Sequence, residues 1–195
     1  MSEFSGDNRY VGDYLTEEVL SRHPAEVRDF IIRVSILDRF SAALCDDVLE
    51  LSRSATILRD LERANLFLVP LDDEGRWYRF HPLFAAVARA ELEVSHPDDV
   101  RRMHHRAARW FSQNGNIDES IKHSIAAGDQ PAAARLVQQH WLQYVDAGRI
   151  ATVQYWLHAI GSPEDPPDPA TTVTAAWLAA MTGDAGRRWA NVSPP

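Results

Sequence analysis

The chain of 195 residues has little cysteine, little lysine and no long apolar run. Cys45 is its only cysteine, so no internal disulfide can form, and this usage fits a reducing cytoplasm. No apolar stretch approaches the roughly 18 residues that a membrane span needs, and no secretory leader is recognisable. We therefore expect a cytoplasmic location and no membrane partner.

Catalytic and metal-binding patterns are also missing. Lys122 is the only lysine, and no Gly-rich loop ends in the Gly-Lys-Ser/Thr that cradles nucleotide phosphates, so we expect no ATP hydrolysis by this chain. No nucleophile elbow and no consistent pair of catalytic acids is present. His104 and His105 are adjacent and would point about 100° apart on a helix, unlike zinc ligands spaced i, i+4. We expect no enzyme, no metal and no cofactor bound by this chain itself.

Positive charge is in deficit, because 20 Lys and Arg residues stand against 28 Asp and Glu residues, a formal net charge of −8. Domains that bind nucleic acid non-specifically usually carry a basic face that releases counterions from phosphates. The charge balance therefore disfavours this class of protein.

The most informative feature that is present is the segment at residues 66–84. Residues 66–71 are apolar and rich in strand-forming side chains, and residues 77–80 suit a return strand. The acidic turn between them ends at Gly75, which can adopt a positive φ. Pro82 suits the first turn of a following helix. With helices on both sides, this segment predicts the wing of a winged-helix domain.

Helical periodicity predicts short helices before the wing, at residues 14–21 and after Pro24, Ser41 and Ser54. We expect Ser41 and Ser54 to cap the helices that they begin. The residues expected on the buried faces after Pro24 are Val27, Phe30, Ile31, Val34, Leu44, Val48, Leu51, Ile57, Leu58 and Leu61.

The second half of the chain has helical periodicity throughout. Helices are predicted to end at Gly115, Gly128, Gly148 and Gly161, and Asp129 is predicted to cap the start of one of them. The spacings from Gly115 to Gly148 and from Gly128 to Gly161 are both about 33 residues, close to the period of a helix-pair repeat. The pattern therefore predicts a tetratricopeptide-like array.

The predicted fold class is mainly α, with a winged-helix domain and two-stranded wing followed by an α-α helical repeat array. We place the winged-helix domain at residues 1–95 and the helical repeat region at residues 96–161. Residues 162–195 are expected to form a proline-rich connector, one further helix and an irregular tail. That last helix carries Val173, Trp177 and Met181 on one side.

Several separate motifs occur in this chain in a fixed order. Besides residues 58–71 and 77–84, they are Tyr14-Leu-Thr-Glu-Glu-Val-Leu20, Ser35-Ile-Leu-Asp-Arg-Phe40, Leu44-Cys45-Asp46, His105-Arg-Ala-Ala-Arg-Trp110, His123-Ser-Ile-Ala-Ala-Gly-Asp129 and Trp156-Leu157. Together they resemble the MalT-like branch of the LuxR-family transcription regulators, from about residue 4 to about residue 183.

The resemblance implies a large regulator with a signal-transduction ATPase, a winged-helix domain, a helical-repeat sensor and a DNA-binding helix-turn-helix at its C-terminus. This chain would be its middle segment, in which the winged helix relays nucleotide state and the repeats begin the sensor. ATP and ADP are implied for the full-length protein. The implied partners are its ATPase domain and a small-molecule or protein effector at the repeats.

His81 is the leading candidate for a functional residue. The Phe80-His81-Pro82-Leu83 segment resembles the Met-His-Asp-Leu motif of related signalling ATPases. This likeness implies that His81 contacts the β-phosphate of ADP in the full-length protein, where a ring N–H would donate to the phosphate. Pro82 stands where the related motif has an acid. The structural alternative is a histidine that packs beneath the wing and bonds to backbone.

Two other functions remain open, a freestanding winged-helix DNA-binding protein and a truncated adaptor that competes with full-length relatives. The candidate recognition helix carries Arg59 and Arg63, but also Asp60 and Glu62, whose charges repel phosphates. We therefore expect no direct DNA contact by this segment.

Trp141, Trp156 and Trp177 lie on apolar stripes of the second half. They could line a groove for an effector, as paired helices in such arrays often do, or pack helix against helix. Self-association is a further expectation, with Leu15 and Val19 as the apolar surface that a missing ATPase would cover.

Overall fold

The computed structural model of the protein describes residues 23–64, 66–161 and 169–182. Within these ranges the chain forms nine helices and one two-stranded antiparallel sheet, so the mainly α fold class is confirmed. The predictions for residues 14–21, including Leu15 and Val19, for the proline-rich connector at residues 162–168 and for residues 187–195 lie outside the described residues. The elements are α1 (Ala25–Val34), α2 (Ala42–Leu49), α3 (Ser54–Arg63), β1 (Leu68–Pro70), β2 (Tyr78–Phe80), α4 (Pro82–Ser95), α5 (Pro97–Gln113), α6 (Ile117–Ala126), α7 (Gln130–Asp146), α8 (Ile150–Ile160) and α9 (Pro169–Thr182).

The chain divides after Ala107 into two compact units, residues 1–107 and 108–195. The boundaries proposed from the sequence, after residues 95 and 161, stay predictions. None of the helices in the described ranges is long and apolar enough to cross a membrane.

The helices before the wing pack their apolar faces into one core. Ser41 caps α2 as predicted, because its Oγ accepts the N–H of Leu44 at 3.3 Å. The predicted cap by Ser54 is wrong, since Arg53 holds the N-cap position and Ser54 is the first helical residue. The N–H of Ser54 donates instead to Asp46 Oδ1 at 3.0 Å, so a carboxylate from α2 satisfies the start of α3. Of the predicted core, Phe30, Ile31, Val34, Leu44, Val48, Ile57, Leu58 and Leu61 are buried, and Val27 and Leu51 are half-buried.

The wing pairs β1 with β2 in antiparallel register, with Leu68 opposite Phe80. A residue from before α2 extends this pairing, because Phe40 and Tyr78 exchange both backbone hydrogen bonds at 2.8 Å. The turn uses Gly75 at φ +61, as the sequence predicts. The wing is therefore bonded both to itself and to the segment between α1 and α2.

Four aromatic rings join the wing to α4. Ring centroids lie 4.9 Å apart for Phe40 and Phe80, 5.4 Å apart for Phe80 and Phe84, and 5.1 Å apart for Phe67 and Phe84. Phe67 has a positive φ of 51°, which costs a non-glycine residue about 1 kcal/mol or more. Its stacking on Phe84 offsets this cost, so packing rather than backbone preference sets the conformation there.

Two arginines connect parts of the first unit that are distant in sequence. Arg89 on α4 donates from Nε and Nη2 to the Ser35 carbonyl, at 3.1 and 2.7 Å. Arg106 on α5 donates to the Val48 carbonyl at 3.2 Å and forms an ion pair with Glu50. Both carbonyls lie at or near a helix C-terminus, where backbone acceptors lack intrahelical partners.

In the second unit, glycines end the helices at short turns. Gly115, Gly128 and Gly148 have φ of +73°, +70° and +76°, as expected of left-handed caps. Gly161 also follows its helix, but its φ of −77° and ψ of 121° are extended. Asp129 caps α7 as predicted, because Oδ1 accepts the N–H of Ala132 at 3.0 Å. The buried core of this unit consists of Ile121, Ala133, Ala134, Val137, Val153, Trp156, Leu157, Ile160 and Leu178.

The side of α9 that carries Val173 and Trp177 is largely exposed, and the opposite side is buried. Val173 is 66% exposed and Trp177 is 47% exposed, whereas Thr171, Thr174 and Leu178 are buried. Gln138 on α7 donates to Thr171 Oγ1 at 3.1 Å, which fixes the polar threonine side inward. The alanine-rich sequence of α9 has weak amphipathic contrast, so periodicity alone could not orient it. The side chain of Met181 lies outside the described residues.

Candidate functional site

His81 stands at the junction of the wing and α4. It occupies the N-cap position of α4, and its backbone N–H donates to the Phe67 carbonyl at 2.8 Å. Pro82 follows as the first helical residue, as the sequence predicts. The imidazole is exposed and makes no cap hydrogen bond, so the alternative of a ring packed beneath the wing does not describe this structure.

Strand alternation places a second cationic side chain beside this position. Tyr78 and Phe80 are buried, so Arg79 and His81 project from the opposite, outer side of the chain. Arg79 is exposed, and the N-terminus of α4 adds the positive end of a helix dipole. This small surface can donate hydrogen bonds to an anion.

The surface formed by α3 and the wing, where a winged helix could meet DNA, carries mixed charge. Arg76 on the wing bonds to its neighbours, with Nη2 2.6 Å from Glu74 Oε2 and the backbone N–H 2.7 Å from Asp72 Oδ1. Asp60 and Glu62 on α3 are exposed among its arginines. The charge of Arg76 is thus already compensated by carboxylates of the same turn, whereas Arg79 lies exposed on β2.

Tyr78 connects α3 to the wing at the bottom of this surface. Its hydroxyl donates to Glu62 Oε2 at 3.1 Å. Burial raises the pKa of Tyr78, and the Glu62 carboxylate raises it further. The phenol therefore stays neutral and donating, and it holds Glu62 in place.

An open groove of about 890 Å³ lies between α2, α3 and the wing. Its lining includes Leu58 and Glu62 from α3 and Trp77 and Tyr78 from the wing. Sequence reasoning missed this groove, because it depends on the bond between Tyr78 and Glu62 and on the pairing of Phe40 with the wing. The acidic turn at residues 72–74 and Glu62 on the preceding helix were the signals of its charge.

The three tryptophans of the second unit have different surroundings. Trp156 is 3% exposed and packs edge-on against Tyr144 at 4.6 Å between ring centroids. Trp141 is half-buried and meets the exposed Trp177 edge-on at 5.0 Å. Trp156 is therefore a core residue, while Trp141 and Trp177 form an aromatic pair that reaches the surface. A role for this pair in binding stays a prediction.

Across residues 23–64, 66–161 and 169–182, no three His, Cys, Asp or Glu side chains are grouped so that they could hold a metal ion. Cys45 is fully buried, and burial raises the pKa of its thiol far above the usual range. The reactive thiolate is therefore disfavoured at this position.

A two-stranded wing that follows three described helices and leads into a fourth defines a winged-helix domain, here followed by packed helices. Residues 16–100 match the MalT winged helix domain family. The HTH-type transcriptional regulator MalT of Yersinia pestis is 31% identical over 170 residues, 87% of this chain and 19% of that protein. The serine/threonine-protein kinase PknK of Mycobacterium tuberculosis is 30% identical over 149 residues, 76% of this chain and 13% of that protein.

The winged-helix domain of this chain belongs to the MalT winged helix domain family, and the chain is MalT-like. It spans less than a fifth of the length of these two relatives, 19% and 13%.

Proposed function

We propose that this chain is a regulatory segment of an ATP-dependent MalT-like transcription regulator and acts through contacts between domains, without catalysis of its own. The winged helix relays nucleotide state from the ATPase domain, and the second unit takes part in sensing an effector as the start of a tetratricopeptide-like array. The observation that carries the proposal is the exposed imidazole of His81 at the junction of wing and helix.

The chemistry of that junction suits a phosphate. The exposed Arg79 and the start of α4 lie near His81, and all three favour negative charge. ADP held by the ATPase domain presents its β-phosphate as such a group. The wing reports whether that contact exists, because His81 is bonded through its backbone to Phe67 at the start of β1.

A DNA-binding role is disfavoured by the side chains of α3 and the wing. The acidic groups on this surface and the internal pairing of Arg76 leave no uniformly basic face for a phosphate backbone. Contact with DNA is assigned to other parts of the full-length protein. A cytoplasmic location belongs to the same proposal and rests on the single, buried Cys45.

The test is a calorimetric titration of this chain with the separately purified ATPase portion of a full-length MalT relative, with ADP and then with ATP. We expect binding that depends on ADP and weakens by about tenfold or more in His81→Ala, since a hydrogen bond to a charged group contributes about 1.5–3 kcal/mol. His158→Ala is the matched control, because His158 is an exposed histidine on α8.

Equal binding by both variants would exclude His81 from the contact. Absence of binding with either nucleotide would contradict the proposed relay and favour a freestanding protein or a truncated adaptor.

A further inference from the structure

The groove between α3 and the wing is an exposed concave surface of the first unit. It measures about 890 Å³, enough for several side chains of an extended segment. Its lining contains small and apolar side chains, Ala42, Ala55 and Leu58, so a peptide backbone can approach closely. Trp77 and Tyr78 add aromatic surface on the wing side.

Carboxylates occur on two sides of this groove. Glu62 lines it from α3, and Asp72, Asp73 and Glu74 line it from the wing. Two cations, Arg59 and Arg76, also line it, so four carboxylates stand against two guanidinium groups. The groove as a whole therefore carries excess negative charge.

Glu62 is oriented by a hydrogen bond, and its side chain is exposed. One oxygen accepts the Tyr78 hydroxyl at 3.1 Å. A carboxylate offers about four acceptor positions on two oxygens, so the group can bind a guanidinium as well. A fixed carboxylate loses less side-chain entropy when it binds a ligand.

The Trp77 ring is in contact with a guanidinium group of the chain itself. The Arg39 guanidinium carbon lies 5.6 Å from the centroid of the Trp77 ring, within the range of a cation–π contact. Trp77 is half-buried and also lines the groove. An indole beside carboxylates is the combination that recognises arginine side chains.

We propose that this groove binds an arginine-bearing peptide segment of a partner protein. The surface that would meet the DNA backbone in a DNA-reading winged helix is thus used here for protein recognition. The excess of carboxylates favours a cationic segment and repels phosphates. This inference deepens the proposed function and rests on its claim that the chain acts through protein contacts.

The experiment uses the full chain and a capped octapeptide of alternating alanine and arginine. The matched peptide has glutamine in place of each arginine. Affinity is measured by calorimetry at fixed salt, and the Trp77 indole N–H is followed by NMR, assigned with Trp77→Phe. We expect the arginine peptide to bind and to shift this signal, and the glutamine peptide to do neither.

Two double variants distinguish specific binding in the groove from the diffuse attraction of a cationic peptide to an acidic protein. Glu62→Gln/Asp73→Asn removes two charges from the groove, and Glu91→Gln/Glu93→Gln removes two from α4 outside it. Both change the net charge equally and nearly preserve side-chain shape. We expect the groove variant to weaken binding by about threefold to thirtyfold and the α4 variant to change it by less than about twofold.

Equal weakening by both variants, an unshifted Trp77 signal, binding of the glutamine peptide, or tighter binding of a DNA duplex would each overturn the proposal. If the peptide does not bind the groove but the chain still binds the ATPase portion in an ADP-dependent way, only the groove proposal is rejected. If the chain does not bind the ATPase portion but still binds the peptide, only the proposed nucleotide relay is rejected.

Discussion

Each of the two units has its own kind of internal contact. The residues in contact are farther apart in sequence in the first unit than in much of the second. In the first unit, Phe40 pairs with Tyr78, and Arg89 on α4 reaches back to Ser35. In the second unit, α6, α7 and α8 pack against one another and are connected by turns of a few residues, and α9 packs against α7 and α8. The first unit therefore depends on groups that meet only when the whole domain folds, whereas local caps and turns define much of the second.

The largest effect should come from an aromatic residue that joins distant parts of the first unit. Phe84 is fully buried, stacks on Phe67 and packs edge-on against Phe80. Phe84→Ala leaves a cavity between wing and α4, so the free energy of unfolding should fall by about 3–5 kcal/mol in chemical denaturation. Val94→Ala is the control on the same helix, because Val94 is 80% exposed, and it should change stability by less than about 0.5 kcal/mol. Similar losses for both variants would contradict this description of the core.

A smaller effect should come from a local turn of the second unit. Gly148 has φ +76°, and a Cβ added there would meet no atom within 4 Å, so the cost of Gly148→Ala is purely conformational. We expect a loss of about 1–2 kcal/mol, because an L side chain disfavours the left-handed region. Gly161, at φ −77°, is the matched control.

Gly161→Ala should leave the melting temperature unchanged or slightly raised, since alanine reduces the entropy of the unfolded chain. Equal losses of stability in Gly148→Ala and Gly161→Ala would contradict backbone conformation as the cause of the loss at Gly148.

The smallest effect concerns one tyrosine in each unit at high pH. Burial raises the pKa of both Tyr78 and Tyr144, and hydrogen bonds to Glu62 and Asp118 raise them further. Their neutral forms therefore stabilise the fold fully below the ordinary tyrosine pKa of about 10. The free energy of unfolding should fall as pH rises through that value toward the raised pKa values of the folded protein.

Urea denaturation between about pH 8 and pH 11 measures this slope, to which the buried Cys45 thiol also contributes because its pKa is raised too. Tyr78→Phe and Tyr144→Phe should each reduce the fall, because the ionising hydroxyl is gone. A wild-type free energy of unfolding that is flat over this range would contradict the buried, hydrogen-bonded phenols.

Local signals explain which elements the sequence could predict. The turn at Gly75, the Ser41 and Asp129 caps and the glycine-ended helices all depend on residues a few positions apart. Residues 66–84 therefore predicted the wing, although the strands are shorter than expected, Leu68–Pro70 and Tyr78–Phe80.

Long-range contacts explain the rest. Ser54 was predicted as a cap, but Asp46 from the previous helix bonds its N–H instead. Ser120 donates to the Ala108 carbonyl at 2.8 Å, and the His123 ring stacks on Phe111 with 5.5 Å between ring centroids. No pattern in the sequence predicted these buried contacts. For the candidate site, the sequence indicated His81 but not its exposure, and the groove depends on Tyr78 and Glu62, which are distant in sequence.

The most direct test of the central claim is hydrogen–deuterium exchange of this chain, alone and with the ATPase portion of a MalT relative, in ADP and then in ATP. We expect slower exchange at residues 78–85 with ADP, a loss of this protection with ATP, and no ADP-dependent change at residues 117–160. Exchange at residues 78–85 that is the same with either nucleotide would contradict a winged helix that relays nucleotide state through His81.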